Sequence, residues 1–301
     1  MRPADIPALA REYGFAETYR LDAALAQDAP AGIRTLLLLI APYDSWGKKI
    51  PGCPWISAYY FTAQEAYGKA REMADALRSM GEEARLLSEV RLKPLLTLLE
   101  DFSQGRNTLH YHNKYGSRFH VQVIGLASRC AAEESGLRKG KTEDMCGSCR
   151  KCQQACPGKA IPEEGFLRDK CIRQHMLKGP PVPEALRPLM EDRLLGCDIC
   201  QQVCPYNAGL TEGGSVGEGF LLEDLLACDK RALASLAKTI GKNMAIPNRV
   251  CAQACLAAGN SKDAAYLPVL QMLAAHPSGT VAEHAAWAVR MLTNEPDEVT
   301  S

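Results

Sequence analysis

The chain has 301 residues, 35 Lys plus Arg against 35 Asp plus Glu, and 47% hydrophobic residues. It is long enough to bury two or three cores, and its zero net charge creates no global field of the kind that marks nucleic-acid or membrane-surface binders. The N-terminal "MRPADIPALAREYGF" lacks the apolar run of a secretory signal, and thirteen cysteines in a chain expected to be cytoplasmic point to metal ligation before disulfides.

Residues 3–13 carry Ala8, Leu9 and Tyr13 at helical spacing. "IRTLLLLIAPY" (33–43) is a β-compatible apolar run closed by Pro, the pattern of a strand buried on both faces, and it is far too short for a membrane span. Residues 62–80 predict a helix capped by Thr62, with Tyr67, Ala70, Met73, Ala74 and Leu77 in one stripe. A strand over 84–90, a helix over 92–101 and a strand over 118–127 continue the alternation, so residues 1–135 form an expected α/β domain. A cysteine module follows at 136–212, with "TEGGSVGEGF" (211–220) as a linker or exposed loop. The tail, 221–301, is Ala- and Leu-rich with polar breaks at Gly259-Asn260 and Pro277-Ser278-Gly279. It reads as a short HEAT-like helical tail that docks on the rest. The expected fold class is therefore α+β multidomain.

Cys146-x2-Cys149-x2-Cys152-x3-Cys156-Pro157 is the bacterial ferredoxin run, in which three thiolates hold one [4Fe–4S] cluster and the fourth crosses to another. Cys197-x2-Cys200-x3-Cys204-Pro205 supplies three more ligands, and Cys171, lying between the groups, is the natural eighth. Cys146, Cys149, Cys152 and Cys204 then hold one cluster, and Cys156, Cys171, Cys197 and Cys200 the other. A pair of zinc sites is the alternative, since Cys-x2-Cys also ligates zinc. Against it stand the third cysteine at x2, the two Cys-Pro endings and the eight-ligand arithmetic. Cys53, Cys130, Cys228, Cys251 and Cys255 are scattered and read as small apolar residues. Residues 137–178 hold ten Lys or Arg against five Asp or Glu, either a solvated basic surface or a contact for an anionic partner. Trp46 and Trp55 flank Cys53 and form either a wall for a flat cofactor or a packed loop. No Gly-x-Gly-x-x-Gly or P-loop is present.

"GCDICQQVCPYN" (196–207), "CIRQHMLKGPPVPEALRP" (171–188), "GRNTLHYHNKYGSRFHVQVIGLA" (105–127) and the tail segments "LAAGN" and "AEHAAWAV" resemble the epoxyqueuosine reductases, cobalamin-dependent enzymes of tRNA queuosine synthesis related to reductive dehalogenases. The resemblance implies a base-off corrinoid fed by both clusters, a low-potential electron donor such as a ferredoxin or flavodoxin, and tRNA as a partner. Mapped residue by residue, it makes Gly105, Asn107, Ser117, Arg173, His175, Asp198 and Gln201 candidate corrinoid contacts. His110, His112, His120 and His175 are candidates for an axial ligand or proton donor, beside the plainer reading of ordinary polar contacts. The sequence also departs from the family. Arg91 stands where the family carries its expected proton-donor Asp, and a guanidinium does not give up a proton at neutral pH. Arg91 is left to bind an anionic group in the pocket or to form a surface salt bridge. The family's Cys-Ile-Ser-Tyr-Leu-Thr becomes Cys171-Ile172-Arg173-Gln174-His175-Met176, and its Trp-Ile becomes Ser103-Gln104. The alternative function is a double-cluster electron-transfer or accessory protein without cobalamin.

Overall fold

The computed structural model describes residues 6–129, 136–138, 144–208 and 219–293. Cys130 and residues 211–218 of the Gly-rich stretch lie outside the described residues. In chain order the regular elements are α1 (Ile6–Glu12), β1 (Glu17–Asp22), β2 (Thr35–Pro42), β3 (Trp55–Ile56), α2 (Ala58–Ser79), β4 (Ala84–Leu87), α3 (Leu92–Thr97), β5 (Phe102–Gln104), β6 (His110–His112) and β7 (Phe119–Leu126). They continue as α4 (Lys151–Ala155), α5 (Ile172–His175), β8 (Arg193–Leu195), α6 (Ile199–Gln202), α7 (Leu222–Leu226), α8 (Lys230–Ile240), α9 (Pro247–Ser261), α10 (Leu267–Leu273) and α11 (Gly279–Thr293). These make two compact units: Met1–Asp44, Thr62–Lys151 and Gln201–Gly213 form the first, and Ser45–Phe61, Cys152–Cys200 and Gly214–Ser301 the second.

The first unit is organised by β2. Its run of leucines is buried throughout, and strand alternation sends neighbouring side chains to opposite faces. Leu37, Leu39 and Ala41 join α1 and α2 in one core, while Leu36, Leu38 and Ile40 join Leu95, Phe102 and Phe119 in the other. Each fully buried leucine stabilises the unit by roughly 1.5–3 kcal/mol. The sheet order is β1-β2-β7-β4, and every pairing is antiparallel. Strand–helix alternation in the sequence announced the elements but left their pairing direction open.

α2 differs in detail from its sequence reading. It begins at Ala58, because the Ser57 hydroxyl accepts from the Tyr59 amide and caps the first turn. Its buried stripe is Ala66, Ala70, Met73, Ala74 and Leu77, and Tyr67 faces outward at 45% exposure. α3 stops at Thr97, because the chain turns there to bring Phe102 into the core.

In the second unit, β3 and β8 pair in parallel, and a large apolar core gathers Ile56, Tyr60, Phe61, Met176 and Leu194 with residues of α7 to α11. α9 runs through Gly259-Asn260, where a break was expected, and ends at Lys262 in the left-handed region. Asn260 instead turns its amide onto the carbonyls of Arg187 and Glu191 at 2.9 and 3.2 Å. The break at Pro277-Ser278-Gly279 does separate α10 from α11. His284 on α11 joins three segments: its Nε2 accepts from the Val182 amide and its Nδ1–H donates to the Ala252 carbonyl, both at 2.9 Å. The buried Arg187 guanidinium pairs with Glu283 and donates to the Val182 carbonyl at 2.8 Å. Among the described residues no helix is long and apolar enough to cross a membrane.

Candidate metal centre

Cys156 closes α4, where Pro157 cannot continue the helix. The turn that follows reaches Lys170 closely: a Cβ on Gly158 would stand 2.0 Å from the Lys170 carbonyl oxygen, so only glycine fits there. That approach brings Cys156 towards Cys171, the residue at the N-cap of α5. Cys156, Ala160 and Ile161 form a small buried core, and Cys152, Cys171, Cys200 and Phe166 pack against it. Cys197 belongs to the edge of the larger core of the same unit, and its thiol interacts electrostatically with that of Cys171. Cys171 interacts likewise with Cys156. Cys156, Cys171, Cys197 and Cys200, expected to share a cluster, thus all lie in one compact unit.

The chemistry of this donor set fits iron–sulfur ligation. Burial pushes the Cys197 thiol up to about 11, and burial likewise pushes Cys171 up, so neither is a thiolate on its own at neutral pH. A backbone amide is nevertheless aimed at one sulfur, Ala160 N–H donating to Cys156 Sγ at 3.3 Å, and the Arg173 and Ile199 amides oppose the effect of burial on Cys171 and Cys197. Amides pointed at buried sulfur stabilise negative charge that only a metal brings out. Among the described residues, no three or more Cys, His, Asp or Glu side chains converge to hold a single metal ion.

The first cysteine group is held differently. Cys146, Cys149 and Cys204 fall in the first unit and Cys152 in the second. The Cys146 amide donates to the Asp144 carboxylate at 2.9 Å, and Cys146 Sγ accepts from the Arg106 amide at 3.2 Å. The Arg106 guanidinium donates to the Gly147 carbonyl at 3.0 Å, and Tyr206 Oη to the Met145 carbonyl at 2.8 Å. The cysteine loop is therefore laced to the β5–β6 turn and to the turn after Cys204.

The candidate corrinoid contacts are engaged mainly with protein. Ser117 Oγ donates to Gln201 Oε1 at 2.8 Å, and Asn207 bridges the Ser117 amide and hydroxyl to the Gln201 carbonyl. The Asn107 amide group donates to Tyr111 Oη at 2.8 Å, and a Cβ on Gly105 would meet the Tyr111 ring at 2.8 Å. The Asp198 carboxylate, 4% exposed, accepts from Ser57 Oγ at 2.6 Å. His175 Nε2 lies 2.7 Å from the Asp169 carbonyl and donates to it. Arg173 is exposed and sits over Tyr60 and Tyr59. A cavity of about 380 Å³ in the first unit is lined by Asp22, Ala23, Ile33, Arg34 and Arg129 among others.

Arg91 is also accounted for by protein contacts. It is the exposed residue ahead of α3, and its amide and Nε both donate to the Asp28 carboxylate at 2.9 Å. Burial keeps His110 and His120 neutral, at about 4, with Thr97 Oγ1 and Gln122 respectively 3.0 Å away. His112 accepts the Lys114 amide on Nδ1, so its Nε2–H faces Tyr19 Oη at 2.9 Å. Trp55 is buried beside the Arg193 guanidinium. Sequence reasoning missed Ser57, Arg106 and Asn207. Of these, Asn207 carried a signal, the Pro-Tyr-Asn directly after Cys204.

Residues 145–207 match the family model of a 4Fe-4S double cluster binding domain, and with the donor set above this defines the class: a double-cluster iron–sulfur protein on a mixed helix-and-sheet frame. The chain is 32% identical over 278 residues to an epoxyqueuosine reductase of Bacillus subtilis, a match covering 87% of this chain and 67% of that protein. It is 31% identical over 206 residues to that of Alicycliphilus denitrificans, covering 62% and 55%. A selenomethionine-labelled epoxyqueuosine reductase structure superposes with a TM-score of 0.74 at 19% identity, covering 98% and 95% of the two chains. An epoxyqueuosine reductase solved with a tRNA-Tyr epoxyqueuosine-modified stem loop gives 0.75 at 19% identity, covering 98% and 94%. The chain belongs to the epoxyqueuosine reductase family.

Proposed function

We propose that this protein is an iron–sulfur reductase that passes single electrons from a low-potential ferredoxin or flavodoxin, through two [4Fe–4S] clusters, to a corrinoid acting on epoxyqueuosine in tRNA. The observation that carries the electron path is the packing of Cys152, Cys171 and Cys200 against Cys156 in one apolar pocket, with a backbone amide directed at Cys156 Sγ. The substrate rests on family membership and on the relative solved with an epoxyqueuosine-modified stem loop. The corrinoid rests on the family resemblance of the sequence; when bound, it supplies a strongly reducing metal centre able to remove an epoxide oxygen. This chain's own residues ligate the clusters, exclude water from the second cysteine group and present a basic segment over 137–178 to an anionic partner.

A second reading is favoured by one observation. The residue at the family's proton-donor position, Arg91, is a surface cation paired with Asp28. A double-cluster electron-transfer or accessory protein without cobalamin would need no acid there.

Anaerobic reconstitution with hydroxocobalamin, followed by gel filtration and an absorption spectrum, separates the two: retained corrinoid supports the first reading and its absence the second. Turnover of epoxyqueuosine-containing tRNA by the loaded protein with a low-potential reductant then tests the substrate, and no turnover removes it. Binding to tRNA should weaken steeply with salt if the basic segment makes phosphate contacts.

A further inference from the structure

Arg173 occupies an unusual place. It lies on α5, two residues after Cys171, and its guanidinium interacts electrostatically with the Cys171 thiol. The guanidinium carbon stands 5.5 Å from the Tyr60 ring centroid and 6.0 Å from that of Tyr59. The two rings meet edge to face, with centroids 5.2 Å apart at 87°, and make a fixed seat for a planar cation. A guanidinium suits such a seat better than an ammonium, because it stacks and is weakly hydrated. The titratable groups that face Arg173 are the Tyr60 and Tyr59 phenols, held neutral by burial, the Cys171 thiol and the Asp198 carboxylate. Asp198 directly follows Cys197 and is buried against Ser57, so it adds negative charge beside the same group of thiols.

The geometry points to Arg173 as the residue that sets the reduction potential of the cluster held by Cys156, Cys171, Cys197 and Cys200. This rests on the reading that those four cysteines hold a [4Fe–4S] cluster. Reduction adds one electron to the cluster, from the low-potential donor, and no bond breaks. The added negative charge is stabilised by a nearby cation and opposed by Asp198 and the four thiolates. Arg173 is charged at every working pH, and its ring seat keeps that charge at one place beside Cys171. It thereby offsets Asp198 and raises the potential, which favours filling of this cluster by the low-potential donor. Because the side chain is exposed, part of its field is screened by salt.

The test is a potentiometric titration followed by electron paramagnetic resonance on the reconstituted full chain, with iron counted in each sample. Arg173→Gln should keep about eight irons and move one of the two midpoints to lower potential, more at low than at high ionic strength. Arg173→Lys should retain most of the wild-type potential. In a Cys171→Ala background, where this cluster is absent, Arg173→Gln should leave the remaining midpoint unmoved. Full iron with unshifted midpoints in Arg173→Gln at low ionic strength overturns this inference alone. Wild-type protein with about four irons, or with zinc, overturns it together with the ligand reading. Should Arg173→Gln fail to hold iron, Tyr59→Leu decides: it loosens the seat of the guanidinium, and the same midpoint should fall by less. An unchanged midpoint there, with iron intact, counts against the inference.

Discussion

The two expected ligand sets interleave along the chain and differ in what surrounds them. Cys171 and Cys200, with Cys152 of the first set, pack on Cys156, Ala160 and Ile161, and burial pushes the Cys171 thiol up. Cys146 is held by polar lacing, through Asp144, Arg106 and the Tyr206 hydroxyl on Met145. The apolar group depends on metal to bring out its charge, and its properties follow from the few charges and amides placed near the sulfurs. The polar group depends on loops keeping their shape.

The largest expected effect is Cys171→Ala, which should remove the second cluster and leave the first, lowering iron from about eight to about four per chain. Unchanged iron would show that Cys171 is not the eighth ligand, and loss of both clusters would erase the distinction between the groups. Gly158→Ala should act on the second group alone. The added methyl meets the Lys170 carbonyl, and such overpacking costs about 1–3 kcal/mol or more. A lower unfolding temperature together with loss of about half the iron would bear this out, and iron lost evenly from both groups would not.

Acid should act on both units. His284 in the second and His110 in the first are held near 4 by burial, against an ordinary value of 6.5. Their folded-state values are depressed, so each contributes stability above about pH 6.5 that is lost as pH falls towards 4. The loss approaches about 3 kcal/mol per buried histidine. Replacing His284 with Gln should flatten the acid limb of the unfolding curve, and an unaltered limb would refute its role. The smallest effect belongs to Arg91→Ala. An exposed ion pair contributes little, so iron content and unfolding temperature should hardly change. A large loss of tRNA-substrate turnover in that variant would place Arg91 in the reaction centre after all.

What was legible in the sequence follows the same division. The leucine run of β2 declared a strand buried on both faces, because alternation alone fills two cores. A double 4Fe-4S cluster domain was legible in the cysteines because their spacing is a covalent property. β1 was not, since Glu-Thr-Tyr-Arg-Leu-Asp mixes polar and apolar residues and is a strand only through its pairing with β2. The start of α2 was missed because Ser57 both caps the helix and donates to Asp198, a partner 141 positions away. The Ser117–Gln201–Asn207 knot is also long-range, and no local pattern reports which distant amide will meet a serine. Arg91 looked chemically significant because of the position it occupies, yet its contacts are with a surface loop.

The central claim is that eight cysteines hold two [4Fe–4S] clusters. It is tested most directly by measuring iron, acid-labile sulfide and zinc in the anaerobically reconstituted full chain. The account predicts about eight irons and about eight sulfides per chain with no zinc. About four irons, or zinc in place of iron, would contradict it.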